Sequence, residues 1–284
     1  MNKQQGALLS IFSNTCLIIF KIIAGVTMNS VSVLSEAIHS SLDLLASLIA
    51  FFSIRKAVEP EDKEHPFGHG KYENVSGFVE ALLIFIAAAL IIYEAIKKII
   101  HGTIISEVGP GLIVMAISAM LNLVISLNLM RISKKTNSIA LEADAMHLMT
   151  DVLTSLGVFV GLILIKLTKI SILDPIFAML VSVLILKASY DLTRKSIKDL
   201  VDSSLPDEDI KVIIDTVMSF PEVKSYHKLR TRKSGERREV DIHVQIDNDA
   251  SIKEAHKISN IIEQAIKQKL DNTYITVHVE PIDD

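Results

Sequence analysis

Long apolar runs are the feature of this 284-residue chain that most limits how it can fold. Half of the residues are hydrophobic and the mean hydropathy is +0.41, more apolar than is usual for a soluble domain. A helix needs about 20 mostly apolar residues to cross a bilayer. The runs of suitable length are 7–27, 31–54, 76–98, 109–131, 140–166 and 172–190. The sequence therefore predicts an α-helical membrane domain with six transmembrane helices at residues 1–190.

The distribution of basic residues predicts how these segments are oriented. With the N-terminus inside, the cytoplasmic segments carry eight Lys and Arg residues and the outer segments carry four. Basic residues concentrate on the cytoplasmic side of membrane proteins, so we expect cytoplasmic N- and C-termini. Lys21 lies toward the outer end of the first run, where its side chain is expected to snorkel to the interface. Glu80, near the start of the third run, is expected to be an interfacial acid.

The composition changes after Tyr190. Residues 191–206 form a charged connector, and residues 207–284 have the pattern of a small soluble domain. Ser234-Gly235 between two alternating stretches predicts a hairpin. The expected helices are 207–220 and 252–270, and the expected strands are 223–231, 239–246 and 274–279. The order α-β-β-α-β predicts an α+β domain with helices on one face of a three-stranded sheet.

Two ionisable pairs interrupt the apolar runs. His39 precedes Asp43 by four residues, and His147 precedes Asp151 by the same spacing. In a helix, this spacing places each imidazole and carboxylate on one face. Two nitrogens and two oxygens suit a tetrahedral ion such as Zn²⁺, whereas Ca²⁺ and Mg²⁺ prefer six or more oxygens. The pattern predicts a four-ligand metal site inside the membrane domain.

Other polar residues in these runs have simpler expected roles. Hydrogen bonding between helices is the alternative for the two pairs, but matched spacing in two separate segments favours a metal. Glu36 is expected to be an interfacial acid, and Asp144 a pathway or structural residue rather than a ligand. Asn14 and Asn122 are expected to join helices. His101 is expected at the surface.

Histidines outside the apolar runs form two further groups. Asp62, His65 and His69 lie in the loop after the second run and could hold a second metal, with an ordinary polar loop as the alternative. The predicted strands of the soluble domain carry one histidine each, and one histidine lies on its second helix. The candidate ligands of this domain are His227, His243, His256 and His278, with Glu280. Glu280 follows His278 by two residues, so both side chains point to one face of their strand.

At this point the chain resembles the cation diffusion facilitator family over essentially its whole length. The resemblance rests on the paired His-x3-Asp motifs, on His65-Pro-Phe-Gly-His69-Gly-Lys, on Ala143-Asp-Ala-Met-His147-x3-Asp151, and on the tail histidines. It implies a homodimer of six-span protomers in a bacterial plasma membrane. It also implies transport of an ion, usually Zn²⁺, in exchange for protons.

The resemblance assigns a role to each group of residues. His39, Asp43, His147 and Asp151 would be the transport site, and Asp62, His65 and His69 the loop site. The tail histidines with Glu280 would form a binuclear site that steadies the cytoplasmic dimer. Lys71 and Asp202 match a charge pair that locks the two protomers. Two departures are visible: some bacterial members have Asp at the position of His39, a change that goes with different ion preference, and some have Asp at that of Glu280.

These observations favour an exporter that works by alternating access. Metal and protons compete for the same imidazoles and carboxylates, so the two fluxes can be coupled. The same ligands also accept Cd²⁺, Co²⁺, Fe²⁺, Mn²⁺ or Ni²⁺.

The net charge of −4 implies no nucleic-acid partner. The chain has no Walker or hydrolase motif, so we expect neither an ATP motor nor an enzyme. The alternatives are a membrane metalloenzyme, a metal-sensing or storage protein, and a passive channel.

Overall fold

The chain folds into a helical unit and a smaller mixed unit in a computed structural model. The structure describes residues 2–27, 31–101, 109–168, 170 and 172–282. Two compact units divide at residues 197 and 198: Met1–Ile197 and Lys198–Asp284.

Each of the six apolar runs coincides with a helix. The helices are α1 (Lys3–Thr27), α2 (Val31–Ala57), α3 (Lys71–His101), α4 (Gly109–Thr136), α5 (Ile139–Thr168) and α6 (Leu173–Leu200). Among the described residues, four stretches are long and apolar enough to cross a membrane: Lys3–Thr27, Lys71–His101, Ile113–Thr136 and Pro175–Leu200. Helices α2 and α5 are of similar length, at 27 and 30 residues. Helix α6 continues through Leu200, so the first ten residues of the expected connector are helical.

Helix α5 lies at the centre of the helical unit. One buried cluster joins it to α1, α2 and α4, and includes Ala7, Ile54 and Leu129. A second cluster joins it to α3 and α6, and includes Ile84 and Ile185. Many of the buried residues are alanines, which let helix backbones approach closely where lipid supplies no hydrophobic drive. A side chain on the inner face of α5 is therefore surrounded by protein.

A buried acid ties the N-terminal ends of three helices together. Glu73 in the first turn of α3 is 1% exposed. One of its carboxylate oxygens accepts a hydrogen bond from Nζ of Lys3 on α1 at 2.6 Å. The other accepts a hydrogen bond from the hydroxyl of Ser138, the residue before α5. Both oxygens are satisfied, which a buried carboxylate requires.

Replacing this acid should destabilise the helical unit. We expect Glu73→Ala to cost about 3 kcal/mol, because it removes the buried carboxylate that accepts from both Lys3 and Ser138. The measurement is thermal unfolding of the purified protein in detergent. Glu142→Ala is the matched control, since its ion pair with Lys195 is more exposed and should contribute less than about 1 kcal/mol. Equal effects of the two substitutions would contradict this assignment.

The smaller unit has the predicted α-β-β-α-β order. Its elements are α7 (Asp207–Val217), β1 (Ser225–Ser234), β2 (Arg237–Ile246), α8 (Ile252–Lys269) and β3 (Thr273–Pro281). The sheet order is β1-β2-β3, with β1 and β2 antiparallel and β2 and β3 parallel. Gly235 has φ 62° in the expected hairpin turn, a conformation that favours glycine.

The two faces of this sheet differ. Alternate strand residues such as Val240, Ile242 and Val277 are buried in a core with α7 and α8. The helices therefore cover one face, as predicted. The opposite face carries the intervening residues, among them His243 and His278, and no described helix of this unit contributes to it. Helix α8 begins at a capping box in which the Ser251 hydroxyl accepts the Glu254 amide.

Candidate metal sites

The structure brings three of the four predicted membrane ligands together. Asp43 on α2 and His147 on α5 face each other, with Nε2 of the imidazole 3.1 Å from a carboxylate oxygen. Asp151, one turn further along α5, joins them. Ligand atoms of the three residues lie within 4.8 Å of one another. The fourth predicted ligand, His39, belongs to α2, but its side chain lies outside the described part of the structure.

A hydrogen-bond network of an asparagine, two serines and a further acid lies beside Asp43. Asn14 on α1 donates to the Ser47 hydroxyl at 2.8 Å and to the backbone carbonyl of Asp43 at 3.4 Å. Ser47 in turn donates to Asp144 on α5 at 3.0 Å, and the hydroxyl of Ser10 is 2.8 Å from that of Ser47. The prediction that Asn14 joins helices is confirmed. The network fixes α1, α2 and α5 around the site.

Sequence reasoning missed Ser47, although a signal was present. Ser47 follows Asp43 by four residues and therefore shares its helix face.

The expectation for Glu80 is wrong: its side chain is fully buried, with one oxygen accepting from Ser76 at 3.1 Å. The acid is enclosed within the helical unit and does not reach the interface. His101 is exposed, as predicted.

The loop residues also converge. One oxygen of Asp62 accepts the backbone amide of His65 at 2.6 Å and lies 3.2 Å from its Nδ1. The other lies 3.3 Å from Nε2 of His69, without the angle of a hydrogen bond. The bond from the His65 amide is the main reason that the pKa of Asp62 is lowered. A lowered pKa keeps this carboxylate ionised, the form that binds a cation.

The sheet aligns three histidines in one row. His227 pairs with His243 across β1 and β2, and His243 pairs with His278 across β2 and β3. Glu280 on β3 lies against all three imidazoles, at 2.9 Å from His227, 2.7 Å from His243 and 3.3 Å from His278. The hydrogen bond with His243 is the main cause of the lowered pKa of Glu280. Ligand atoms of His227, His243 and Glu280 lie within 4.8 Å of one another.

Two predicted residues of the smaller unit are placed differently. His256 on α8 is exposed and its Nε2 is 3.2 Å from the amide of Asn260. It does not belong to the group of His227, His243 and Glu280 among the described residues. Asp202, expected to pair with Lys71, lies 3.4 Å from Arg232 of its own unit. The expected pair between protomers stays a prediction.

Each of the three groups offers imidazole nitrogens and carboxylate oxygens, which suit a borderline divalent ion. The membrane group differs from the other two because it lies inside a helical bundle. Asp43 is 3% exposed, so an ion bound there must leave water behind. This combination can bind and release a dehydrated cation between helices.

Comparison with known proteins identifies the family of the chain. Residues 7–201 match the cation efflux transmembrane domain, and residues 205–282 match the cytoplasmic domain of cation efflux proteins. An uncharacterized transporter of Synechocystis is 34% identical over 256 residues, which cover 90% of this chain and 83% of that protein. The cation-efflux pump FieF of Citrobacter koseri is 30% identical over 287 aligned positions, which cover 99% of this chain and 95% of the pump. The family resemblance found in the motifs is confirmed, and the chain belongs to the cation diffusion facilitator family of membrane transporters.

Proposed function

We propose that this protein exports a divalent metal ion, Zn²⁺ first among the alternatives, from the cytoplasm in exchange for protons. The transport site consists of His39, Asp43, His147 and Asp151 on α2 and α5. The approach of His147 to Asp43 across the two helices is the observation that carries the proposal. Cd²⁺, Co²⁺, Fe²⁺, Mn²⁺ and Ni²⁺ suit the same ligands, and the supply in the cell decides among them.

The contact between His147 and Asp43 also supports the coupling to protons. A metal ion needs neutral imidazole and ionised carboxylate, so binding requires that protons leave the site. Protons that arrive from the outer side restore the contact and displace the ion. The inward proton gradient thereby drives metal outward.

Movement of α2 relative to α5 would expose the site to one side and then to the other. Six spanning helices, with both termini in the cytoplasm, place the two site-bearing helices in the bundle. Four apolar helices and two more of similar length support this topology.

The remaining residues serve assembly and capture of the ion. We assign the cytoplasmic site to His227, His243, His278 and Glu280, with His256 as a further ligand, in a homodimer joined through this domain. Asp62, His65 and His69 form the loop site near the cytoplasmic surface. Lys71 and Asp202 pair between the protomers.

Flux in reconstituted vesicles tests the proposal. Purified protein is placed in liposomes with a controlled pH difference, and Zn²⁺, Cd²⁺, Co²⁺, Fe²⁺, Mn²⁺ and Ni²⁺ are offered in turn. We expect metal to move against an opposing proton flux, and the rate to rise with the pH difference.

The alternatives give other outcomes in the same vesicles. A passive channel would move metal at a rate independent of the pH difference. A sensor or storage protein would move none. Absence of flux for every ion, with protein correctly inserted, would overturn the proposed function.

A further inference from the structure

A buried lysine of α1 contacts α2 three residues before Asp43 of the membrane site. Nζ of Lys21 on α1 donates to the hydroxyl of Ser40 on α2 at 2.8 Å. The two residues are 5% and 3% exposed. The expectation that Lys21 snorkels to the interface is therefore wrong, since its ammonium is enclosed between helices. An ammonium within an apolar helix is costly, which makes it a candidate for a functional role.

The packing of α1 against α2 determines which part of α2 this ammonium contacts. The helices run antiparallel: Gly25 lies against Leu34, Lys21 against Ser40, and Asn14 against Ser47. A Cβ atom at Gly25 would come within 2.8 Å of the Leu34 side chain, so the close approach requires glycine.

Asp43 lies between these contacts on α2. It follows Ser40 by three residues and precedes Ser47 by four, so all three share one face. Ser40 and Asp43 are separated by less than one helical turn of about 5.4 Å. The ammonium of Lys21 is thus anchored about one turn from a carboxylate of the transport site.

The charges of the site change during transport. With the ion bound, two carboxylates face two positive charges. After the ion leaves and before protons replace it, Asp43 and Asp151 lie in a medium that screens charge poorly. A fixed positive charge nearby stabilises this empty state and opposes the divalent ion.

We propose that Lys21 is a positioning residue whose ammonium sets the metal affinity of the transport site low enough for release. The inference rests on the proposed function of that site. Lys21 weakens binding and thereby speeds release: without the charge, the ion would bind more tightly and leave more slowly.

Zinc flux at several metal concentrations tests this role. We expect Lys21→Met to lower KM at least about tenfold, equivalent to about 1.4 kcal/mol, and to lower kcat as well. Lys21→Arg, which keeps the charge, should stay near wild type. Lys187→Met is the matched control, because Lys187 lies in α6 and is exposed. A merely structural role would raise KM or lower kcat alone.

Two further measurements complete the test. Ser40→Ala removes the hydroxyl that accepts from Lys21 but keeps the charge, and should lower KM at least about threefold, less than loss of the charge itself. This variant serves if Lys21→Met does not fold. Binding of Zn²⁺ to the membrane site is measured in protein that also carries His65→Ala and Glu280→Gln, which remove one ligand each from the loop site and the cytoplasmic site. In this background, the Kd of Lys21→Met should fall in parallel with its KM. Unchanged KM and Kd in the folded variants would overturn the inference while wild-type flux upholds the proposed function. Absence of wild-type flux would instead overturn the proposed function.

Discussion

Replacement of either acid of the membrane site, by Asp43→Asn or Asp151→Asn, should reduce zinc flux by more than about 100-fold. Each substitution keeps the size of the side chain but removes one of two negative charges and a metal ligand. Loss of a group that only supports a ligand already costs about 10–100-fold in metal affinity, so loss of a ligand should cost more. Initial rates of Zn²⁺ uptake into proteoliposomes at a fixed pH difference give the measurement.

The control for these variants is Asp191→Asn. Asp191 belongs to the same helical unit, but it is exposed and lies on α6 rather than on the site helices α2 and α5. Its replacement should leave the rate unchanged. Size-exclusion profiles and thermal unfolding must match wild type, so that lost flux reports the site. Wild-type flux in either site variant would remove the acid concerned from the transport site.

Residue spacing predicted part of the membrane site but not all of it. The interval of four residues placed Asp151 on the face of His147 without knowledge of the fold. That α2 packs against α5 could not be read from spacing, because helix periodicity reveals a polar face but not its partner. The contact between Asp43 and His147 follows from the packing of six helices.

The histidine group of the smaller unit was more fully predictable. Alternation along the strands predicted one histidine on each strand and Glu280 on the face of His278. The structure adds the register, which aligns the histidines laterally in adjacent strands. Register depends on the hairpin and on the crossover through α8, which the residue pattern does not fix.

Buried charges inside the bundle were least predictable. Lys21 lies six residues before the end of α1, and Glu73 and Glu80 lie two and nine residues after the start of α3. At these positions a charged side chain can either reach water or find a partner. The sequence does not distinguish a side chain that reaches water from one that is paired inside the protein. A lysine stem, for example, is long enough for either arrangement. Only the neighbouring helices decide, through Ser40 for Lys21 and through Lys3 for Glu73.

Glu280→Gln should abolish zinc binding at the cytoplasmic site, with a loss in affinity of more than about 100-fold. Glu280 is the one described residue that lies against His227, His243 and His278 together, so in the proposed site it would supply both a ligand and the charge that balances the ion. Calorimetric titration of the full-length protein with Zn²⁺ should show fewer bound ions per chain. Glu222→Gln is the control, because Glu222 is exposed and outside the three groups.

The same substitution should alter how metal-free stability depends on pH. The pKa of Glu280 in the folded protein is lowered from its usual value of 4.5, chiefly by the hydrogen bond with His243. A lowered pKa means that the ionised form stabilises the fold above the usual value and that this stabilisation is lost as pH falls through the lowered one. The difference in unfolding midpoint between wild type and Glu280→Gln should therefore be full at neutral pH and should close only below pH 4.5. A difference that does not change with pH would mean that glutamine loses packing rather than charge, and the carboxylate would then have no electrostatic role among the three histidines.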